Sequence, residues 1–224
     1  MRPACLMLLS VGCVSCANIH ETAADITTIS LGSDQLQAVQ IDESVKLADA
    51  PLSVCVPIQL QLKARNATVA LQPSAAGCAL TLHQPDLVLF DQDEIKQARK
   101  KAGPFDVNGI RGGSVALRRL ELTSGEGEAL PLSRYVDAIS IQLDGAMLLD
   151  RMQPDMLQAE QRMHRLPDDL IAKLKSSVKN DEPAMADVVL TLWLQPQAIQ
   201  DVPTSLNVSL ELQPELEVSL IDAL

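Results

Sequence analysis

Aromatic residues are scarce in this chain of 224 residues, where they make up only 2% of the sequence. Sugar-binding clefts and base-stacking platforms normally use several rings, so this composition disfavours both. Basic residues are also few, because 18 Lys and Arg stand against 29 Asp and Glu, for a net charge of −11. An acidic chain without a stripe of Lys and Arg repels phosphate backbones and anionic lipid headgroups, so we expect no nucleic-acid partner.

Long hydrophobic runs are missing as well, since no apolar stretch approaches the ~20 residues that a transmembrane helix requires. Hydrophobic residues nevertheless make up 47% of the sequence, which is enough for a proper core and too much for a disordered chain. With so few rings, that core must consist mainly of Leu and Val. The length fits one domain or two small ones, and we predict a single β-rich domain over residues 26–224.

The first 16 residues, MRPACLMLLSVGCVSC, have the order of an export leader. One basic residue, Arg2, precedes an apolar stretch that is followed by small residues and a cysteine. A cysteine directly after a small residue resembles the leader of bacterial lipoproteins, and the resemblance covers residues 1–16 alone. It implies an exported protein of the bacterial cell envelope, held by an N-terminal lipid at the outer membrane, with its domain facing the periplasm or the cell surface. Residues 17–25 are expected to form a tether.

Two cysteines compete as the lipidated residue, and each departs from the lipoprotein pattern of an aliphatic residue at the third position before it. Cys13 follows Gly12, a suitable small residue, but has Ser10 at that third position. Cys16 has Cys13 there instead. Leader length favours Cys16, because lipidation of Cys13 leaves a leader shorter than the ~15–30 residues of export signals. Both cysteines stay open as candidates, and a plain secretory leader cleaved near Ala17 is the alternative to lipidation.

Cys55 and Cys78 are predicted to form a disulfide. Both lie in strand-like contexts, and lipidation of Cys16 leaves them as an even pair in an oxidising compartment. The alternative is two buried free thiols. A metal site is disfavoured, because the two cysteines are far apart in sequence and no paired histidines accompany them.

Alternation of apolar and polar residues predicts that the domain consists mainly of β-strands. The clearest case is the C-terminal ribbon, where apolar residues occupy the even positions from Leu206 to Leu220 except for Pro214. Proline lacks an N–H, so we expect the ribbon to bend at Pro214 or to lie at a sheet edge. The spacing slips across Arg118 and Arg119, which indicates a bulge. Further strands are predicted at residues 26–31, 58–62, 69–71, 79–83, 87–90, 115–122, 138–143 and 188–194.

Three amphipathic helices interrupt the predicted strands. The first starts with a capping-box pattern at Asp91 and Glu94 and stops before Gly103. The second covers residues 154–164, and the third has Pro167 in its first turn and ends near Asn180. Loops are expected at 102–113 and 123–133. Together these elements predict a β-rich α+β fold. Its antiparallel sheet forms a sandwich, or a curved, barrel-like sheet, and is packed with two to three amphipathic helices.

The sequence carries no pattern for catalysis, and we predict that the protein is not an enzyme. The three histidines stand alone, and no HExxH, GxSxG or phosphate-binding loop occurs. The Gly-rich stretch 108–113 does not join a strand to a helix, so we interpret it as a turn. Residues 91–94 lack the Gly and distal Glu of a calcium loop, so a helix cap explains them better. We therefore predict no catalytic, cofactor-binding or metal-binding residue.

Two non-enzymatic functions remain open. In the favoured one, the strands form a filled core and the domain is a lipid-anchored structural or interaction protein of the envelope. In the alternative, the same aliphatic face lines a cavity that binds a lipid or another apolar ligand. An enzyme is the third possibility, and a polar constellation that converges in a pocket would support it.

Overall fold

A computed structural model describes residues 28–32, 36–46, 58–61, 67–74, 77–102, 109–159, 163–195 and 205–219. Within these ranges the chain is built mainly from strands, with short helices between them. The strands are β1 (Thr28–Leu31), β2 (Val39–Lys46), β3 (Ile58–Gln61), β4 (Thr68–Ser74), β5 (Gly77–Phe90), β6 (Ile110–Ser124), β7 (Ala129–Leu130), β8 (Val136–Leu143), β9 (Ala146–Met152), β10 (Met163–Arg165), β11 (Ala184–Leu194) and β12 (Ser205–Ser219). The helices are α1 (Gln92–Ala102), α2 (Leu132–Tyr135), α3 (Pro154–Ala159) and α4 (Asp168–Asn180).

The strands form two sheets, and neighbouring strands run antiparallel in both. In the first, named the β12 sheet, β12 lies between β6 on one side and β1 and β2 on the other, and β10 and β7 follow the far edge of β6. In the second, named the β5 sheet, the order is β3-β4-β5-β11-β8-β9. The prediction of a β-rich α+β fold with antiparallel pairing is confirmed.

Strand β12 occupies the middle of its sheet, because β6 pairs with it from Leu206 to Val218 while β2 and then β1 pair with its other edge. Along this edge of β12, pairing with β2 extends from Ser205 to Leu212, and pairing with β1 extends from Leu216 to Ser219. Pro214 lies between these two paired segments, where the edge of β12 is unpaired among the described residues. The sheet edge that the sequence predicted at Pro214 is therefore local. Only this short part of β12 lacks a partner strand on one side, and a residue without an N–H is tolerated there.

Alternation along β12 and β6 places one aliphatic row of each strand in the core. The inward side chains of β12 that the structure describes are each no more than 3% exposed, and they are Leu206, Val208, Leu210, Leu212, Leu216 and Val218. The predicted bulge in β6 is confirmed, because Glu211 pairs with Arg119 while the next residue, Leu212, pairs with Leu117. Arg118 is thus the extra residue that restores the alternation of the strand.

Helices α1 and α4 follow their sequence signals closely. Asp91 and Glu94 form the predicted capping box, in which the backbone N–H of Asp91 donates to Oε2 of Glu94 over 2.9 Å. Helix α4 ends at Asn180 and packs on both β6 and β11, so it touches one strand of each sheet. The apolar stripe predicted for α4 is buried, and its members are Leu170, Ile171, Leu174 and Val178.

Two sequence interpretations near β6 and β10 are wrong. The helix expected over 154–164 ends at Ala159, and Met163–Arg165 pairs with β6 as β10 instead. The narrow apolar stripe of that helix explains its early end, because Met156 remains 62% exposed. The Gly-rich stretch expected as a turn supplies the start of β6. A Cβ on Gly113 would lie 2.9 Å from the Glu215 carbonyl oxygen, so glycine permits a close approach there.

We expect Leu210→Asp to lower the free energy of unfolding by at least about 4 kcal/mol, because an unpaired carboxylate would replace a core side chain. Ser44→Asp is the matched control, since Ser44 is exposed on the neighbouring strand β2. We expect that control to stay within about 0.5 kcal/mol. Urea unfolding followed by circular dichroism measures both, and equal midpoints would contradict the burial of the even-numbered face.

Candidate functional site

Between the two sheets lies an aliphatic gap, the feature that a cavity for an apolar ligand would require. Its volume is about 190 Å³, and Val45, Val69, Leu80, Leu82, Leu190, Leu192 and Val208 line it. The gap is too narrow to admit a water-sized sphere. Ligand pockets usually measure roughly 300–1,000 Å³, whereas this gap has no room for even one water molecule.

Glu43 is the one acidic side chain that the described part of the chain buries on the inner face of a strand. It faces inward on β2, pairs across the sheet with Val208 and is 4% exposed. Its Oε1 atom accepts no hydrogen bond, while the residue as a whole takes part in another interaction. Burial of a carboxylate costs free energy, so Glu43 is a polar exception within an aliphatic layer.

At one end of the β5 sheet, five polar residues form a connected group that we name the Asp187 network. Its members are His83, Asp86, Asp144, Lys173 and Asp187. Asp144 accepts hydrogen bonds from the Asp187 N–H over 2.7 Å and from Lys173 Nζ over 3.1 Å. Asp187 accepts one from the Asp86 N–H over 3.1 Å and lies 3.8 Å from His83 Nε2. The network therefore joins β5, β11, the β8–β9 turn and α4.

The backbone explains why aspartates occupy these positions. Asp86 and Asp144 have positive φ angles of 51° and 48°, a conformation that Asp and Asn tolerate better than most residues. Among the described residues, none with a hydroxyl or thiol is hydrogen-bonded to His83. The contacts of the network hold β5, β11, the β8–β9 turn and α4 together, and the network is therefore a latch between these elements.

The cysteines singled out by the sequence are only partly covered by the structure. Cys13, Cys16 and Cys55 lie outside the described residues, so lipidation and the Cys55–Cys78 pairing stay predictions. Cys78 is on β5, fully buried and disulfide-bonded. It is the single cysteine in the described ranges, and its bonding partner therefore lies outside them.

His83 and His164 lie on strands of different sheets, and the described residues contain no group of three His, Cys, Asp or Glu side chains that could hold a metal ion. His83 belongs to the Asp187 network, His164 lies on β10, and His20 lies outside the described ranges.

One further contact has no signal in the sequence pattern. The Arg151 guanidinium lies 4.8 Å from the ring centroid of Trp193. Arg151 has a positive φ of 46° and sits beside a register shift between β8 and β9. Its N–H donates to Ser140 Oγ over 2.8 Å. A bulge of this kind redirects a side chain, and here it turns Arg151 towards β11.

Comparison with known proteins identifies no relative of this chain. No protein-family model matches the chain, and neither a curated protein nor a solved structure shows significant similarity to it. None of the helices in the described ranges combines the length and the apolar character that crossing a membrane requires.

We expect Asp144→Ala to lower the free energy of unfolding by about 2 kcal/mol, because it removes the acceptor of the Asp187 N–H and leaves alanine with a positive φ. Asp144→Asn keeps an acceptor oxygen and suits the same φ, so its cost is expected to be under about 1 kcal/mol. Lys173→Ala removes only a half-exposed ion pair, whose contribution is ~0.2–1 kcal/mol. Chemical denaturation measures all three, and an Asn variant as unstable as the Ala variant would contradict this account.

Proposed function

We propose that this protein is a non-enzymatic, lipid-anchored structural or interaction protein of the bacterial envelope. The observation that supports the proposal is the tight packing between the sheets, because the gap that the described inward side chains line has no room for a water molecule. The alternative function, binding of a lipid in an aliphatic cavity, requires a space of roughly 300–1,000 Å³ that is open to the ligand. An enzyme requires a polar constellation in a pocket, and the Asp187 network is an exposed latch.

The arrangement that we propose is a sandwich of the β12 sheet on the β5 sheet. Residues of β2 and β12 from one sheet and of β4, β5 and β11 from the other line the same gap. Side chains of both sheets also belong to one continuous hydrophobic cluster. Stacked sheets lie about 10 Å apart, a distance that Leu and Val side chains from two faces fill.

Lipid anchorage is supported by the sequence of residues 1–16 and by the short connection that follows. Strand β1 begins at Thr28, so the chain between Cys16 and the domain spans at most about 40 Å. A diacylglyceryl group carries two acyl chains, which suffices for stable attachment at ~0.8 kcal/mol per buried CH₂. The proposed location is the outer membrane, with the domain close to its surface.

The proposed partner of Cys78 is Cys55. Cys55 precedes Ile58, the first residue of β3, by three residues, which span at most about 10 Å. Ile58 pairs with Leu71, and Leu71 pairs with Leu80, which is two residues from Cys78. Cys55 is therefore tethered within reach of Cys78. Lipidation consumes the thiol of Cys13 or Cys16, which also favours Cys55 as the partner.

We expect the chain to incorporate radiolabelled palmitate when it is expressed in bacteria, and to lose the label in the Cys13→Ser/Cys16→Ser double variant. The single variants identify the lipidated residue, and Cys5→Ser is the control that keeps the label. In detergent phase separation, the parent is expected in the detergent phase and the double variant in the aqueous phase. An unlabelled parent, or a double variant that still partitions into detergent, would refute the anchor.

The same double variant tests the filled core. Native mass spectrometry is expected to show the mass of the polypeptide alone, because the gap holds no ligand. A stoichiometric, non-covalent lipid on the released protein would favour the apolar-ligand function over the structural one.

We expect Cys55→Ala to lower the free energy of unfolding by ~2–4 kcal/mol, through loss of the constraint on the unfolded chain. Peptide mapping after alkylation provides the direct measurement, in which the peptides of Cys55 and Cys78 are labelled only after reduction. Cys5→Ala is the control and is expected to change neither result. Labelling of both peptides without reduction, or a cross-link from Cys78 to another cysteine, would show that the pairing is wrong.

A further inference from the structure

The last two turns of helix α1 hold the densest run of positive charge in the chain. Four of the 18 Lys and Arg fall within six residues, which we name the basic segment. No acidic residue occurs between Glu94 and Asp106, so nothing in the sequence interrupts the run. Its four positive charges stand out in a chain whose net charge is −11. The members of the basic segment are Lys96, Arg99, Lys100 and Lys101.

The needs of a helix end account for only part of the basic segment. A cation in the last turn offsets the partial negative charge of the terminal carbonyl groups, an effect that fades within one turn. Helix α4 has one basic residue in its last turn, Lys179. Helix α1 has three residues of the basic segment in its last turn, and Lys96 lies before it, with its Nζ 3.8 Å from Oδ1 of Asp93. The basic segment is therefore richer in charge than the stability of α1 requires.

The contacts that fasten α1 to the domain lie in its first half. Ile95 is the one buried residue among the α1 side chains that the structure describes, which are those of residues 92–97. Besides its capping bond, Glu94 accepts the Gln37 N–H at Oε1 over 2.8 Å. The basic segment follows these contacts and extends about 10 Å beyond Glu94 along the helix axis. Its first member, Lys96, has a side chain that is 51% exposed.

The contact with Gln37 also brings α1 close to the start of the domain. The carbonyl oxygen of the residue before Gln37 accepts a hydrogen bond from the Gln213 side chain over 3.1 Å. Thr28, the first residue of β1, pairs with Ser219, which lies ~20 Å along β12 from Gln213. Since the chain from Cys16 to Thr28 spans up to about 40 Å, a lipid at Cys16 and the basic segment can reach the same membrane surface.

The acidity of the remaining chain does not cancel the attraction of the basic segment for an anion. At physiological salt, exposed charges more than ~8 Å apart are largely screened from each other. A phosphate that touches the last turn of α1 is therefore affected mainly by the residues of that turn. The net charge disfavours contact between an anionic membrane and the chain as a whole, whereas it permits contact at this one helix end.

We infer that the basic segment of α1 binds anionic phospholipid headgroups of the membrane that holds the lipid anchor. Each Lys or Arg near an anionic bilayer adds to the attraction, and headgroup phosphates accept hydrogen bonds from their N–H groups. Nucleic acid carries phosphates as well, but the envelope location that we propose presents a lipid surface to α1. The inference rests on that proposed location, and it adds which part of the domain faces the membrane.

The Cys13→Ser/Cys16→Ser double variant tests this contact without an anchor, because neither residue can then carry lipid. Flotation measures its partitioning onto vesicles of equal parts phosphatidylcholine and phosphatidylglycerol, and pure phosphatidylcholine vesicles provide the neutral surface. We expect tighter binding to the anionic vesicles. We expect this preference to disappear when NaCl is raised to about 0.5 M, since salt screens the attraction without any substitution in α1.

Two matched changes in the same background locate the contact. Lys100→Gln/Lys101→Gln removes two charges, keeps residues that favour a helix, and is expected to weaken binding to anionic vesicles on the order of thirtyfold. Lys175→Gln/Lys179→Gln removes the same charge from α4 and is expected to change binding by no more than about twofold. Because all these chains carry the same leader, any binding by the leader cancels in the comparison.

The inference is overturned if the double variant binds both kinds of vesicle equally, or if a folded Lys100→Gln/Lys101→Gln variant binds anionic vesicles as its parent does. It is also overturned if the α4 control loses as much binding, or if duplex DNA is bound more tightly than the anionic vesicles. Failure of the anchor would appear instead in palmitate labelling, on which none of these measurements depends.

Discussion

The pairing of β12 with β6 is the interaction on which the rest of the described structure depends. These two long strands run antiparallel from Leu206 opposite Ser124 to Val218 opposite Ile110, and every other strand of the β12 sheet pairs with one of them. Each directs an aliphatic row towards the core, so a slip of one residue would bring that row to the surface. The bulge at Arg118 and the close approach at Gly113 fix the register that prevents such a slip. Helix α4 then packs on β6 and β11 and ties the two sheets together.

Sequence alternation predicted the strands that bury one clean aliphatic face, and capping signals predicted α1 and α4 almost to the residue. It missed β2, because the inward row of that strand includes Glu43 between Ile41 and Val45 and so breaks the apolar pattern. Alternation also missed β9. The pairing of β9 with β8 contains two register shifts, and each shift interrupts the alternation of apolar and polar residues along the strand. It assigned β10 to a helix, because a three-residue strand carries no periodicity, and the pairing of β10 with β6 decides its structure.

The surface contacts could not be predicted from the sequence, for a different reason. The Asp187 network joins residues that are up to about a hundred positions apart along the chain, and only the registers of β5, β11 and β8 bring them together. Arg151 reaches Trp193 through a bulge and a positive φ, neither of which a composition or a motif reveals.

Because the gap between the two sheets admits no water-sized sphere, the outer faces are the surfaces on which the described strands can meet a partner. The two outer faces differ in what binding would cost. On the β12 sheet, carboxylates such as Glu215 and Glu217 must lose water before a partner can touch the strands, and burial of a charge is expensive unless it is paired. Those charges also hold other acidic molecules away. On the β5 sheet, Thr68, Gln72 and Thr81 present hydroxyls and an amide, which lose their water at a lower cost than a carboxylate does. Around these three residues of the β5 sheet, water is therefore displaced at a lower cost than around the carboxylates of the β12 sheet.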